Sequence, residues 1–218
     1  MRRDQALQFG EQLRTVLADR PGDPATVADG EVLVDETGLI LYAGCGADRP
    51  GDLDVSGWTR IDCAEGVVSP GLINAHTHVA MSLFRGLADD MPLMTWLNEH
   101  VWPAEGRWVH EEFVADGSRL AIAEMLRSGT TCFNDMYFFP DVTARVAAQA
   151  GIRATVGLIV IDFPSAWADD TDAYFDKAVA LHDQLRNDPL VRTAFAPHAP
   201  YSVADVPLRR VLTLANEL

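Results

Sequence analysis

Two histidines separated by one residue, His76 and His78, are the side chains whose types and spacing most directly suggest chemistry. They end the segment 66–78 (GVVSPGLINAHTH), which is predicted to be a buried strand. Residues i and i+2 of a strand point to the same face, so both imidazoles can reach one metal ion, and imidazole suits zinc. A chance H-x-H arises in roughly one such sequence in six, so the location at a strand end, after Pro70-Gly71, is what favours a metal site.

Two further residues stand in contexts suited to binding a ligand. His198 lies in Ala-Pro-His-Ala-Pro-Tyr at the end of a predicted strand, where the prolines hold it on a rigid, non-helical turn. Glu105 follows a stretch rich in Met and Trp, and one carboxylate in an apolar pocket can bind a polar group of a mostly apolar ligand. A structural histidine and a plain apolar core are the alternative interpretations of these two contexts.

Other residues are weaker candidates. Asp135 and Asp162 also end predicted strands, and they either face the same edge of the sheet or serve only as turn residues. His100, His110 and His182 are predicted to be surface or packing residues. The sequence lacks the GxGxxG, GxSxG and HExxH motifs and the phosphate-binding glycine loop. It also lacks the H-x-E…P-C-x-x-C signature of the nucleobase deaminases with Cys-bound zinc.

The elements that must position these side chains alternate, from Gly66 onward, between apolar strands and amphipathic helices. Four strand-then-helix units in succession predict a parallel sheet or barrel. Residues 27–63 instead indicate short strands with tight turns, and the first 20 residues, with Leu7 and Leu13 at rough helical spacing, indicate a helix. The later elements of the second part are predicted as strands 130–138, 153–162 and 191–200, helices 111–126, 142–150 and 171–185, and a last helix capped by Ser202.

Chain length and composition limit the possibilities. A (β/α)₈ barrel typically needs about 250 residues, whereas this chain has 218. The predicted organisation is therefore α/β, with a β-rich segment over 1–65 and four β/α units over 66–218. Seventeen Lys plus Arg against 32 Asp plus Glu give a net charge of −15, which disfavours nucleic-acid and anionic membrane partners.

Cysteine usage and hydropathy bear on the compartment. Cys45, Cys63 and Cys132 are widely spaced and form no CxxC pair, which fits reduced thiols. The amino-terminal residues lack the apolar run of a signal peptide, and no apolar stretch has transmembrane length. The sequence therefore predicts a cytoplasmic protein.

Three motifs occur in order in this chain: PGLINAHTHVAMSLFRGLADDMPLMTWLNEHVWPAE, EMLRSGTTCFNDMYF and AFAPHAPYS. Through them, residues 66–218 resemble the metal-dependent amidohydrolase superfamily, and within it the 5′-methylthioadenosine/S-adenosylhomocysteine deaminases and their chlorohydrolase-like relatives. The resemblance implies a (β/α)₈ barrel with a small β-sandwich built from the flanking segments. Residues 1–65 would then be part of the sandwich, and 66–218 the amino-terminal half of the barrel.

The resemblance also implies a role for each candidate. His76 and His78 would be two ligands of one divalent metal ion, usually zinc. Glu105 falls where these deaminases hold the ribose hydroxyls of a purine nucleoside, His198 where they place a histidine beside the purine, and Trp96 would line the same pocket. In the family the third metal histidine, the catalytic Glu and the metal-binding Asp belong to the fifth to eighth strands, so no catalytic residue is assigned in this chain.

The activity implied by the resemblance is hydrolytic deamination of an adenine nucleoside. The metal lowers the pKa of bound water towards about 7, the hydroxide attacks the carbon that bears the amino group, and a Glu moves the proton. With two imidazoles and four strands, we expect the chain alone to bind zinc weakly, to oligomerise or aggregate, and to be inactive. The alternatives are another amidohydrolase acting on a heterocycle, such as a guanine deaminase or triazine chlorohydrolase, and a non-catalytic binding or assembly fragment.

Overall fold

The structure is a computed structural model that describes residues 7–13, 15–20, 23–27, 30–63 and 66–218. The chain forms two compact units, Met1–Pro70 and Gly71–Leu218. The cysteines Cys45, Cys63 and Cys132 are free thiols. Within the described ranges, every helix is too short or too polar to cross a bilayer.

The first unit consists of short strands in two small sheets. Val32 and Leu33, in the fourth strand, are buried. The β-rich texture predicted for residues 27–63 is therefore confirmed. The strands are β1 (Leu7–Leu13), β2 (Thr15–Arg20), β3 (Asp23–Val27), β4 (Gly30–Val34), β5 (Ile40–Cys45), β6 (Thr59–Ile61) and β7 (Val67–Val68), in the orders β5-β4-β1-β6 and β3-β2-β7.

The helix predicted for the first 20 residues is wrong over its described part. Residues 7–13 form β1, which pairs antiparallel with β4, and residues 15–20 form β2, which pairs antiparallel with β3. Gly10 in the middle of the segment weakens a helix by about 1 kcal/mol relative to alanine, and Leu7 and Phe9 have the two-residue spacing of a strand, which does not place them on one face of a helix. Pairing with other strands therefore decides the structure here. Residues 1–6 and residue 14 lie outside the described residues.

The second unit is built on a four-stranded parallel sheet. Its strands are β8 (Leu72–Thr77), β9 (Thr130–Asp135), β10 (Arg153–Val160) and β11 (Val191–Pro197), in the order β11-β10-β9-β8. Each neighbouring pair is parallel. Because parallel strands present their carboxyl ends at one edge, the residues that follow β8, β9 and β11 are brought together.

Helical segments follow each of these strands, so the predicted succession of four strand-then-helix units is confirmed. Phe133 of β9 is fully buried in the core between sheet and helices. After β8 come a 3₁₀ turn (Val79–Phe84), α1 (Leu93–Thr95), a π-helical turn (Trp96–Val101), α2 (Trp102–Trp108) and α3 (Glu111–Arg127), and after the later strands α4 (Pro140–Ala150), α5 (Thr171–Leu185) and α6 (Asp205–Glu217).

The ends of α3 show how local sequence sets a boundary. The His110 side chain accepts a hydrogen bond from the backbone N–H of Phe113 at 3.3 Å and so satisfies one of the free donors of the first turn. Gly129, just beyond the helix, has a φ of 84°, the left-handed conformation that favours glycine. The predicted helix over 111–126 is confirmed, and the glycine after it turns the chain into β9.

Two local predictions differ from the structure. The strand 66–78 is interrupted after β7, and in β8 Leu72 is 61% and Ile73 71% exposed, because β8 is an edge strand whose one neighbour in the sheet is β9. Ser202 does not cap the last helix: α6 begins at Asp205, and the backbone N–H of Ala204 instead donates to Asp162 at 2.5 Å. The Ser202 hydroxyl is engaged with His198.

A close approach between α3 and the 3₁₀ turn places the residues after His78. A Cβ added at Gly117 would lie 2.4 Å from the carbonyl oxygen of Ala80. We therefore expect Gly117→Ala to lower the free energy of unfolding by about 1–3 kcal/mol, as overpacking does. Gly106→Ala is the matched control, since its Cβ meets nothing within 4 Å and helix propensity favours alanine by up to about 1 kcal/mol. Urea unfolding of both variants checks this, and equal midpoints would contradict the packing argument.

Candidate active site

A cavity of about 550 Å³ opens at the carboxyl edge of the parallel sheet. Its walls are mainly apolar and aromatic, which is the usual character of a small-molecule site. Four titratable side chains converge on it: His78 after β8, Tyr137 after β9, His198 after β11, and Glu105 from α2. The strand ends and one helix therefore build a single chamber with few titratable groups.

The structure brings most of the candidates from the sequence to this cavity. His78, Trp96, Glu105 and His198 line it. His76 does not line the cavity, but its ring centroid lies 5.1 Å from that of His78, with the two planes at 82°. The roles that the sequence suggests for these residues remain predictions.

The two weaker aspartate candidates do not line the cavity. Asp162 is exposed, and its carboxylate accepts hydrogen bonds from the Thr171 hydroxyl at 3.3 Å and from the backbone N–H of Ala204 at 2.5 Å. These contacts tie the end of β10 to the starts of α5 and α6. Asp162 therefore has the turn role that was its alternative interpretation.

The orientation of His78 is set by a backbone carbonyl. Its Nδ1 lies 2.6 Å from the carbonyl oxygen of Met136. A carbonyl only accepts, so Nδ1 carries the proton and Nε2 keeps a free lone pair. A histidine held by one nitrogen in this way is prepared to bind a metal through the other.

The spacing of the two imidazoles also fits one zinc ion. With a Zn–N distance of about 2.1 Å, each ring centroid lies roughly 3 Å from the ion, so two ligands at a tetrahedral angle have centroids about 5 Å apart. The observed separation is 5.1 Å. In the described part of the chain, however, no group of three or more His, Cys, Asp or Glu side chains is arranged to hold a metal. Among the described residues, His76 and His78 are therefore a candidate pair of ligands and not a complete metal site.

Asp135, at the end of β9, holds the backbone on both sides of His78. The residue is 2% exposed, and its Oδ1 accepts hydrogen bonds from the Thr77 hydroxyl at 2.8 Å and the backbone N–H of Val79 at 2.7 Å. Burial raises the pKa of the Asp135 carboxyl to about 6, opposed by these two donors and by the nearby His76. The carboxylate therefore fixes the residues on both sides of His78 and is a positioning group rather than part of the cavity wall.

Glu105 presents its carboxylate inside the apolar chamber. Its Oε1 accepts a hydrogen bond from the Tyr137 hydroxyl at 2.7 Å. Burial raises the pKa of Glu105, and the Tyr137 hydrogen bond opposes that rise. Burial and the adjacent carboxylate in turn raise the pKa of Tyr137, so this phenol stays a donor. One carboxylate oxygen is thus engaged, which leaves Oε2 and the second lone pair of Oε1 for a ligand.

His198 is oriented by the serine four residues later. The Ser202 hydroxyl lies 2.7 Å from Nδ1 of His198 and 3.2 Å from the carbonyl oxygen of Ala199, to which it donates. Because the serine proton points to that carbonyl, the serine oxygen accepts from Nδ1–H, and Nε2 of His198 remains an acceptor. Burial first, and the neighbouring His78 second, lower the pKa of His198. The imidazole is therefore poised to stay neutral and to accept a hydrogen bond from a ligand.

Aromatic side chains form the remaining walls. Trp96 begins the π-helical turn, and its indole N–H donates to the carbonyl oxygen of Ala88 at 3.1 Å, which fixes the ring. Trp102 and Phe163 lie edge to face with centroids 6.2 Å apart. π-Helical turns inside helices occur often at functional sites, and this one connects Trp96 to the helix that carries Glu105. The walls offer flat apolar surfaces on which a planar ring can stack.

Sequence reasoning missed Tyr137 and Ser202 as members of the site. Tyr137 has the sequence signature of a core aromatic residue, and it is 5% exposed. Ser202 has the signature of a helix cap. Their partners, Glu105 and His198, could be found from strand ends and motifs, but the hydrogen bonds that connect the pairs depend on the folded arrangement.

Comparisons with known proteins give the following matches. Residues 67–218 match the family model described as "Amidohydrolase family". A 5-methylthioadenosine/S-adenosylhomocysteine deaminase from Saccharophagus degradans is 55% identical over 159 residues, which are 73% of this chain and 36% of that protein. A protein of the same name from Syntrophobacter fumaroxidans is 45% identical over 198 residues, which are 90% of this chain and 42% of that protein.

Solved structures also match this chain over nearly its whole length. An adenosine deaminase from Xanthomonas campestris with bound zinc matches with a TM-score of 0.84 and 47% identity, over 98% of this chain and 47% of that one. Atrazine chlorohydrolase from Arthrobacter aurescens, complexed with zinc, matches with a TM-score of 0.81 and 20% identity, over 98% of this chain and 51% of that one, and shows the fold alone. The chain thus spans between about a third and half of the length of these relatives.

Proposed function

The chain belongs to the amidohydrolase family, and from that premise we propose that it supplies the metal-binding pair and the nucleoside-binding wall of a hydrolytic deaminase of adenine nucleosides, such as 5′-methylthioadenosine and S-adenosylhomocysteine. The resemblance drawn from the sequence motifs and the α/β fold are confirmed by the family match and the structural neighbours. The choice of substrate rests on the names of the curated relatives and on the chemistry of the cavity.

The observation that carries the proposal is the Glu105 carboxylate in an apolar, aromatic cavity. A nucleoside presents an aromatic base, which the walls can cover, and two vicinal hydroxyls, which one carboxylate can accept. The Tyr137 hydroxyl already donates to one lone pair of Oε1, so Oε2 is the oxygen that would accept hydrogen bonds from the ribose hydroxyls. A bare heterocycle carries no such pair of hydroxyls and leaves Oε2 of the buried carboxylate without a donor, which is unfavourable.

The three histidines are assigned two different roles, metal binding and contact with the base. We assign His76 and His78 as ligands of one divalent ion, most simply zinc, since His78 is oriented through Met136 and the ring spacing fits. When bound, that ion lowers the pKa of a water molecule towards about 7. His198, held neutral with Nε2 free, accepts a hydrogen bond from the base and so orients its reacting edge.

The donor set also limits what this chain does alone. Catalytic zinc sites use three protein ligands plus water, and the described residues hold two imidazoles in the right arrangement. We infer that the further metal ligand and the group that moves protons are contributed by residues other than those described, whether of the same polypeptide or of a partner copy. The assignment to the cytoplasm, from the reduced cysteines, stays a prediction.

Two other functions remain as alternatives. A guanine deaminase or triazine chlorohydrolase uses the same fold, as the neighbours at 16% and 20% identity show, but acts on a bare heterocycle. A non-catalytic binding or assembly fragment would need neither the histidine pair nor Glu105. Both alternatives make Glu105 dispensable for recognition, and this provides the test.

Glu105→Gln is expected to weaken binding of 5′-methylthioadenosine by roughly 10- to 100-fold, because hydrogen bonds to a charged acceptor contribute about 1.5–3 kcal/mol. Adenine is the matched ligand: it has the same base but no ribose, so its affinity should be unchanged in the variant. Isothermal titration of both ligands against the wild-type chain and the variant checks this.

Two results would decide for the alternatives. Tighter binding of guanine or a chlorotriazine than of any adenine nucleoside, with no effect of Glu105→Gln, would favour an enzyme of bare heterocycles. Absence of binding for all of these ligands, in a folded chain, would favour the non-catalytic fragment.

A further inference from the structure

One strand end supports two separate parts of the cavity. Residues 135–137, at and just after the end of β9, make three contacts. Asp135 accepts from the backbone N–H of Val79, the Met136 carbonyl meets the His78 ring, and the Tyr137 hydroxyl donates to Glu105. The backbone N–H of Met136 also donates to the carbonyl oxygen of Thr77 at 3.2 Å. The backbone around Tyr137 is therefore locked to the end of β8.

The Tyr137 side chain is itself held rigidly. It is 5% exposed, its ring centroid is 5.2 Å from that of Phe138, and it lies 6.4 Å from the ring of His78. A buried ring with neighbours on its sides cannot swing its hydroxyl away. The hydroxyl is a fixed donor aimed at a carboxylate from another element, α2.

Glu105 needs such a donor more than an exposed glutamate does. Its side chain has several rotatable bonds and lies in an apolar chamber, so a carboxylate without a fixed partner would sample several positions at an entropic cost to any ligand that must order it. The Tyr137 hydrogen bond at 2.7 Å removes that freedom before a ligand arrives. It also helps to keep the carboxylate charged against the effect of burial.

We propose that Tyr137 is a positioning residue, whose hydroxyl fixes Oε1 of Glu105 so that Oε2 meets the vicinal hydroxyls of a nucleoside at a set distance from His78. The inference rests on the proposed function, because it assumes that Glu105 binds those hydroxyls. It adds that Tyr137 sets the selectivity of the cavity for ligands with two vicinal hydroxyls. The strand end that orients His78 thereby also orients the carboxylate, which couples the reacting end of the ligand to its sugar end.

The test compares Tyr137→Phe with a matched control, Tyr174→Phe. Tyr174 is also fully buried, and its hydroxyl donates to the Ser165 hydroxyl at 2.7 Å, so the control loses a buried phenol hydrogen bond without touching Glu105. The ligands are 5′-methylthioadenosine and 5′-methylthio-2′,3′-dideoxyadenosine, which differ only in the two vicinal hydroxyls. Affinities are measured by isothermal titration of the metal-free 218-residue chain, with a chelator present.

In the wild-type chain and in Tyr174→Phe, methylthioadenosine should bind more tightly than the dideoxynucleoside. In Tyr137→Phe that preference should fall by roughly tenfold, the usual weight of one hydrogen bond to a charged group. The loss should be confined to methylthioadenosine.

A second readout measures the pKa of the Glu105 carboxyl directly, by carbon NMR of the glutamate side chains. The Glu105 signal is assigned as the one that disappears in Glu105→Gln. Tyr137→Phe should raise the pKa of Glu105, because only the lowering contribution of the hydrogen bond is removed. As the pH is lowered, methylthioadenosine binding should therefore begin to weaken at a higher pH in the Tyr137→Phe variant than in the wild-type chain. The titratable groups that line the cavity with Glu105 are His78, Tyr137 and His198, and both imidazoles are unchanged in the variant.

A third variant covers the case in which Tyr137→Phe does not fold. 3-Fluorotyrosine at position 137 keeps the shape of the ring but makes the phenol a stronger donor, so the pKa of Glu105 should fall. An unmoved Glu105 pKa in the folded variants, or equal losses for both nucleosides, would overturn the inference. If the wild-type chain itself does not distinguish the two nucleosides, the proposed function fails instead, whatever the variants show.

Discussion

Replacing His76 and His78 together with alanine is expected to weaken zinc binding by at least roughly 100-fold. Structural zinc sites with four protein ligands gain about 10–16 kcal/mol, so each ligand accounts for roughly 2.5–4 kcal/mol. In the described part of the chain, His76 and His78 are the proposed ligands and no group of three or more is arranged to hold a metal, so the loss of both imidazoles should leave little that can hold the ion. Calorimetric titration of zinc into the wild-type chain and the double variant measures the effect.

His182→Ala is the matched control for that experiment. His182 is the histidine whose Nδ1 lies 2.7 Å from the Thr193 hydroxyl, and it does not line the cavity at the strand ends. Its removal should leave zinc affinity unchanged. If the double variant binds zinc as tightly as the wild-type chain, or if His182→Ala matches its loss, the assignment of His76 and His78 as the metal pair is wrong.

Several features of the fold could be predicted because they depend on neighbours in the sequence. The helices α3 and α5 are marked by side-chain caps, His110 and Asp170, and by regular apolar spacing, and Gly129 and Gly151 mark turns with φ of 84° and 74°. In such places local preference and the global fold agree. The boundaries of those helices follow from the sequence to within a residue or two.

The composition of the cavity could also be predicted, for a topological reason. Once four parallel strands are recognised, the residues after β8 and β11 must meet at one edge, and this places His78 and His198 together. Glu105 and Trp96 needed the family resemblance as well, because helical residues in an apolar stretch look the same whether they face a core or a ligand.

The contacts that fix the site could not be predicted from the sequence. The Tyr137 hydroxyl reaches a residue 32 positions away, and the Met136 carbonyl one 58 positions away. No local pattern marks a backbone carbonyl as the partner of a histidine. In the same way β1 pairs with β4, so the helical spacing of Leu7 and Leu13 is overruled by a partner that the spacing does not reveal.

The 218-residue chain by itself is expected to show no deaminase turnover, a loss of at least roughly 10⁴-fold relative to a deaminase with a three-ligand zinc site and a proton-transfer group. Two imidazoles leave an ion short of the three protein ligands of catalytic zinc. In the described cavity the carboxylate is Glu105, which Tyr137 and the proposed ribose hydroxyls occupy. No second carboxylate among the residues lining it is placed to transfer protons. Loss of the adenine absorbance with zinc and 5′-methylthioadenosine is the assay.

The adenosine deaminase from Xanthomonas campestris, 47% identical to this chain, is the positive control under the same conditions. If it turns over the nucleoside while this chain binds it and does not, the division into a binding wall and a missing proton-transfer group is supported. Turnover by this chain that His76→Ala abolishes would contradict the prediction. Because only two ligands are proposed among the described residues, that result would require a third from elsewhere, and a dependence of the rate on the square of the protein concentration would identify a second copy as its source.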